Sequence, residues 1–198
     1  MIKPLSWSEK ELFCNDEDAW FGQYVLGIRQ LPTRPMIRGT DIHKMLLEGQ
    51  DISPELYSND EVLIHEKIRK NWDKEVTPYV GLFAPETRVE VCLGDIPVCG
   101  VMDGVQVSTG TLIELKTGST SWTKHRAENH GQLMWYSAMY EKQYGEKPKR
   151  IILVSASTKS GTVAVHHVDL SEDAIKMEME EMARVWAAIS DYHHLRFI

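Results

Sequence analysis

Residues 151–157, Ile-Ile-Leu-Val-Ser-Ala-Ser, are nearly all apolar over a span too short for a core helix. A run of this kind suits a strand buried on both faces, which requires helices packed against each side of its sheet. Upstream, Thr111–Thr117 (TLIELKT) reads as another strand. Between the two, Asn129–Tyr144 carries Leu133, Tyr136, Met139 and Tyr140 at helical spacing. Strand, helix and strand in that order form a crossover unit, so the two strands are expected to run parallel with a right-handed connection. The chain is therefore expected to be α/β.

The remaining segments extend that sheet. Thr87–Leu93 alternates, with Val89, Val91 and Leu93 on one face. Val98–Val107 is a second strand, joined to Thr111–Thr117 by the turn Ser108-Thr109-Gly110, so three strands are expected to form an antiparallel meander. Val163–Val168 adds a strand, and Ser171–Tyr192 reads as a closing helix capped by Ser171. The N-terminal portion is α-rich. Ser6 or Ser8 opens a helix through Leu12, Phe13, Ala19, Trp20 and Tyr24, and the two prolines of Leu31–Pro35 break it. Gly39–Gly49 and Asn59–Glu75 are expected to be amphipathic helices. With 198 residues, 42% of them hydrophobic, the chain is expected to be one domain over 1–198. Its parts are a helical region of about 6–75, a mixed central β-sheet of about 86–168 flanked by helices, and a C-terminal helix of about 171–192.

Chemistry concentrates on the meander. Glu114 and Lys116 are two apart on one strand and so share a face. A cross-strand sum near 218 puts Asp103 opposite about residue 115, beside that pair. Acid–lysine pairs on strands are common as solvated ion pairs. Here the pair ends an apolar strand, and a second carboxylate joins it. Neighbouring carboxylates call for a cation to offset their repulsion, and oxygen ligands suit Mg²⁺ or Mn²⁺. A lysine alongside can orient water or stabilise charge growing on a phosphate.

Four segments in order, RGTDIH (38–43), GVMDGV (100–105), LIELKTG (112–118) and QLMWY (132–136), carry a family likeness. Over roughly residues 6–157 the chain resembles the RecB-like branch of the PD-(D/E)XK nuclease superfamily, phage-exonuclease and CRISPR-associated types included. The resemblance implies a restriction-endonuclease-like core and metal-dependent hydrolysis of phosphodiesters in DNA, by an exonuclease rather than a restriction-type endonuclease. It implies Asp103 and Glu114 as metal-binding carboxylates, the Leu115 backbone carbonyl and His43 as further ligands, and Lys116 as the lysine beside the attacking water. It also implies that Gln132 and Tyr136, one helical turn apart, contact substrate or lysine, and that Arg38 stands at the offset expected of a site residue. Some relatives hold an iron–sulfur cluster with one early and three late cysteines. Here only Cys14, Cys92 and Cys99 occur, none after residue 99, so no such cluster is expected.

The net charge of −7 argues against a nonspecific DNA coat, leaving local patches to contact DNA. The cluster Lys124, His125 and Arg126 falls in an expected loop next to the site, with Trp122 either stacking on a base or anchoring the loop. Glu90 is either an added acid near the site or a structural charge. Neither a membrane-spanning run nor a signal peptide is legible, so a cytoplasmic location, or the host cytoplasm for a phage protein, is expected. Recombination, repair and phage or CRISPR DNA processing are all compatible, as are a recombination or helicase partner protein and a ring-forming homo-oligomer. Two other readings stay open: a catalytically silent binding module on the same fold, and an RNase.

Overall fold

A computed structural model describes residues 3–80, 83–120 and 122–195, without the side chains of 79, 80 and 193–195. Six strands form one mixed sheet: β1 (Leu5–Ser6), β2 (Ala84–Leu93), β3 (Ile96–Gln106), β4 (Thr111–Gly118), β5 (Arg150–Ser157) and β6 (Val163–Val168). β2 and β3 form a hairpin around Gly94, whose φ of 60° suits the turn. β4 runs antiparallel to β3 and parallel to β5, and β6 returns antiparallel along β5. The expected meander and parallel pair are both present.

Among the described residues eight α-helices accompany the sheet: α1 (Trp7–Asn15), α2 (Glu17–Trp20), α3 (Arg34–Leu47), α4 (Asn59–Glu75), α5 (Thr77–Val80), α6 (Lys124–Glu128), α7 (Gly131–Tyr144) and α8 (Glu172–Leu195). On one face α1, α2, α7 and α8 cover Leu112, Ile151 and Leu153; on the other α3 and α4 cover Ile113, Leu115, Ile152, Val154 and Ala156. Alternate residues of β4 and β5 therefore enter opposite cores, and each full burial of such an aliphatic side chain is worth about 1.5–3 kcal/mol. The unbroken apolar run of β5 follows from being covered twice.

Three expectations on the helices need correction. The single early helix is three pieces. Asp16 ends α1 and its carboxylate caps α2 at Ala19 N–H (2.9 Å), and a π-turn at Phe21–Val25 follows. α3 begins at Arg34 rather than Gly39, because Pro35 lies in its first turn, where a missing N–H costs nothing. Residues 124–126 form the first turn of α6, not a loop, with Thr123 Oγ1 accepting from Arg126 N–H at 3.2 Å. α4 matches its expected bounds, and Ser58 and Glu61 supply a reciprocal capping box.

α1 and α2 meet α8 on one face. Lys10, on α1, is buried and ion-paired with Glu178 (2.9 Å) and Glu181 of α8. Phe13 and Trp20 pack their rings against Tyr192, with centroids 6.4 and 5.3 Å away. Among the described residues no helix is long and apolar enough to cross a membrane.

Candidate active site

β3 has β2 along one whole edge, but its other edge is paired only in part. β4 takes Gly104–Gln106 and the short parallel strand β1 takes Val98 and Cys99. Between those contacts the strands part, and side chains occupy the opening. The paired residues sum to 217, not 218, and the ladder stops at Gly104↔Ile113. The physical reason is Asp103, whose Oδ2 accepts Leu115 N–H at 2.7 Å where a strand carbonyl would otherwise stand. The same opening leaves the Val101 carbonyl to accept from Tyr136 Oη at 2.9 Å.

A chain of hydrogen bonds crosses the opening. Lys116 Nζ lies 2.7 Å from Glu114 Oε1 and donates to Gln132 Oε1 at 2.5 Å. Gln132 Nε2 donates to Tyr136 Oη at 3.0 Å, and Tyr136 passes its proton donation to Val101. Because the Lys116 ammonium can only donate, the Gln132 amide turns its oxygen to the lysine and its nitrogen to Tyr136. On the far side, His43 Nδ1 of α3 is 3.5 Å from Asp103 Oδ1. The structure thus brings together His43, Asp103, Glu114, Lys116, Gln132 and Tyr136.

Glu114 sets the electrostatics. It is 2% exposed, and its Oε2 has no hydrogen-bond partner. Burial, with the nearby Asp103 charge added, pushes its carboxyl up to about 7 against the pull of Lys116. Burial and the negative charge of Glu114 likewise push the Tyr136 phenol upward, so it stays a neutral donor. An acidic pair with one orphaned oxygen and an imidazole opposite is a donor set suited to a hard divalent cation. Among the described residues no three His, Cys, Asp or Glu groups are drawn together as a closed metal centre. Lys116 engages one Glu114 oxygen and Leu115 N–H engages one of Asp103.

The other expected site residues lie off this centre. Arg38 turns to α4, donating to His65 Nε2 at 3.0 Å with Glu61 3.5 Å away, and its Nη2 is buried without a partner. Lys124 is paired with Glu128 (3.3 Å) and Asp169 (3.6 Å). Arg126 stacks on Trp122 at 3.9 Å, and Trp122 packs against His130, the arrangement of an anchor. Glu90 is paired with Arg88. Glu86 was missed: with His43 and Thr117 it lines an open cleft of about 510 Å³. The signal was available, because a hairpin turning at Gly94 places Glu86 across from Asp103.

Two glycines of the motifs have steric roles. A Cβ on Gly39 would come within 2.9 Å of Thr117 Oγ1, so glycine lets α3 approach the end of β4. A Cβ on Gly100 would lie 2.7 Å from the Tyr136 ring. Gly100→Ala is expected to displace Tyr136, destabilise the fold by about 1–3 kcal/mol and loosen the Gln132–Lys116 contact. Urea unfolding, with activity assayed in parallel, measures both effects.

His130 stands at the N-cap position of α7, where its side chain makes no cap bond and lies against the rings of Trp7 and Trp122, and its Nε2 has no partner. Burial, helped by the charge of Lys116, pushes its imidazole down to about 4. The folded state keeps it neutral while the unfolded chain binds a proton below ~6.5. Its contribution is complete above that pH and is lost as pH falls toward about 4. After allowance for partial exposure this amounts to roughly 2 kcal/mol. His130→Gln should flatten that part of the pH dependence of urea unfolding.

No protein-family model matches the chain, and no curated protein matches it. Solved structures do. A candidate exonuclease from Eubacterium rectale superposes with a TM-score of 0.70 at 13% identity, covering 92% of this chain and 80% of that one. The protein SSO0001 superposes with a TM-score of 0.50 at 16% identity, covering 93% and 77%. A phage-related exonuclease from Haemophilus somnus 129PT covers 97% of both chains at 12% identity, but its TM-score of 0.44 is too low to argue from. At these identities the likeness is one of fold: a central mixed sheet flanked by helices.

Proposed function

We propose that this chain is a metal-dependent nuclease that hydrolyses phosphodiester bonds in DNA, working as an exonuclease. The observation that carries the proposal is the buried Glu114 with one oxygen on Lys116 and the other unpartnered, set beside Asp103 and His43. The exonuclease assignment leans on the fold shared with the Eubacterium rectale protein and on the four ordered motifs.

Asp103, Glu114 and His43, with the Leu115 carbonyl, would hold Mg²⁺ or Mn²⁺. Such a cation, when bound, neutralises phosphate charge and makes a bound water more acidic. Lys116 keeps its ammonium beside Glu114, where it would steady the attacking water and the charge gathering on the phosphate oxygens. Gln132 fixes that ammonium, and Tyr136 fixes Gln132, so the lysine is oriented before substrate arrives.

The test is cleavage of 5′-labelled DNA, linear and covalently closed, single- and double-stranded, with Mg²⁺, Mn²⁺ or EDTA. Degradation of linear DNA alone, stopped by EDTA, is the expected result. Cutting of closed circles would make the enzyme an endonuclease. Cleavage of RNA alone, or Mn²⁺ binding with no cleavage of any nucleic acid, would overturn the assignment.

A further inference from the structure

Glu86 is the one non-glycine residue with positive φ among the described residues, at 45°. That left-handed backbone carries a strain cost in any residue with a Cβ. It lies inside β2, where the ladder with β3 pairs Pro85↔Gly104 and Thr87↔Met102 and skips the position between, Glu86 against Asp103. Both strands are therefore irregular at the same level, the level of the catalytic opening.

Nothing in packing accounts for a strained glutamate there. Glu86 is exposed, and among the described residues its carboxylate has no hydrogen-bond or ion-pair partner. The nearby acid Glu90, also exposed, is paired with Arg88 and sits within a regular stretch of the ladder. What Glu86 does have is position: it lines the cleft together with His43, across the strands from Asp103. Within that site Glu114 Oε2 is buried without a partner, so the site already holds a carboxylate oxygen that only a cation or a donor from outside would satisfy.

We propose that Glu86 is a third carboxylate for divalent-cation binding in this cleft, reaching the cation directly or through one water, and that its left-handed backbone is retained to hold it there. The inference rests on the reading of Asp103 and Glu114 as the cation-binding pair. With Asp103 and Glu114, Glu86 would set three carboxylates against Lys116 around the proposed cation, an excess of negative charge that favours a divalent cation over a monovalent one.

The test titrates Mn²⁺ into the whole protein without nucleic acid, read by electron paramagnetic resonance, for wild type, Glu86→Gln, Glu86→Gly, Glu90→Gln and Asp103→Asn. Glu86→Gln is expected to bind Mn²⁺ about 10-fold more weakly or worse, with Glu90→Gln unchanged. Glu86→Gly is expected to lose the same affinity while raising Tm in EDTA, because glycine relieves the left-handed strain. Wild-type affinity in Glu86→Gln, with loss in Asp103→Asn, would overturn this inference and leave the proposed function standing. Unchanged binding in both would overturn the two together. A Glu86→Gly variant that lowers Tm and keeps wild-type Mn²⁺ affinity would make the residue structural and overturn the inference.

Discussion

Lys116→Ala is expected to yield a folded protein whose cleavage rate has fallen by roughly a thousandfold, the size of effect seen when a preorganised charge is removed from a developing oxyanion. The loss should appear in kcat, because the ammonium meets the phosphate mainly as charge grows on it. The fold should persist although the substitution takes the one partner from a buried carboxylate. Glu114 already has its carboxyl pushed up to about 7, so it can take a proton instead of remaining an unpaired charge. Circular dichroism and Tm report the fold, and single-turnover cleavage reports the chemistry. Retention of a tenth of the wild-type rate would remove Lys116 from the machinery. Lys116→Arg should not restore activity, since a planar guanidinium cannot occupy the position between Glu114 Oε1 and Gln132 Oε1 as a compact ammonium does.

The second large effect divides the two tasks of Asp103. Its Oδ2 accepts Leu115 N–H, while its charge is proposed to hold the cation. Asp103→Asn keeps an acceptor for that N–H and removes the charge, so metal affinity and cleavage should each fall by ~100-fold with Tm nearly unchanged. Asp103→Ala removes both, leaving a buried amide unsatisfied at a further cost of about 1–3 kcal/mol. A thermal-shift series with and without Mn²⁺ separates the variants: neither should gain stability from the ion, and only the alanine variant should start lower. Equal Tm values for the two in EDTA would show that the Asp103–Leu115 bond contributes nothing to the fold.

Periodicity made the sheet legible because β4 and β5 are buried on both faces and leave no ambiguity in type. The parallel pairing of β4 with β5 followed from the intervening helix. Other features depend on contacts that no local pattern encodes. Asp16 divides the first helix through a cap that competes with helix continuation, and both outcomes suit its composition. The register of β3 on β4 slipped by one in the sequence reading because the connection is a 3₁₀ turn over Val107–Thr109, ended by Gly110 at φ 67°, rather than a tight hairpin. At the site, Asp103, Glu114, Lys116, His43, Gln132 and Tyr136 stood out by residue type and order. Glu86 did not, because neither its residue type nor its order marks it; only the hairpin register about Gly94 and its left-handed backbone set it apart. Arg38, Lys124 and Arg126 looked available for substrate in sequence, but each meets protein partners in three dimensions.

The ion pairs of Lys10 with Glu178 and Glu181 bear on the timing of synthesis. Lys10 and Glu181 are 171 residues apart. At ~5–20 residues per second the ribosome needs on the order of 10–30 s to supply the second after the first. Through that interval the sheet strands have all been made, yet α1 has no counter-charge for its lysine. α1 matters to the site because Trp7 packs on Trp135 of α7, the helix that carries Gln132. A nascent chain stalled before α8 would thus hold the residues of the proposed site in a frame whose α1 is not yet braced, and that bracing would arrive only with α8.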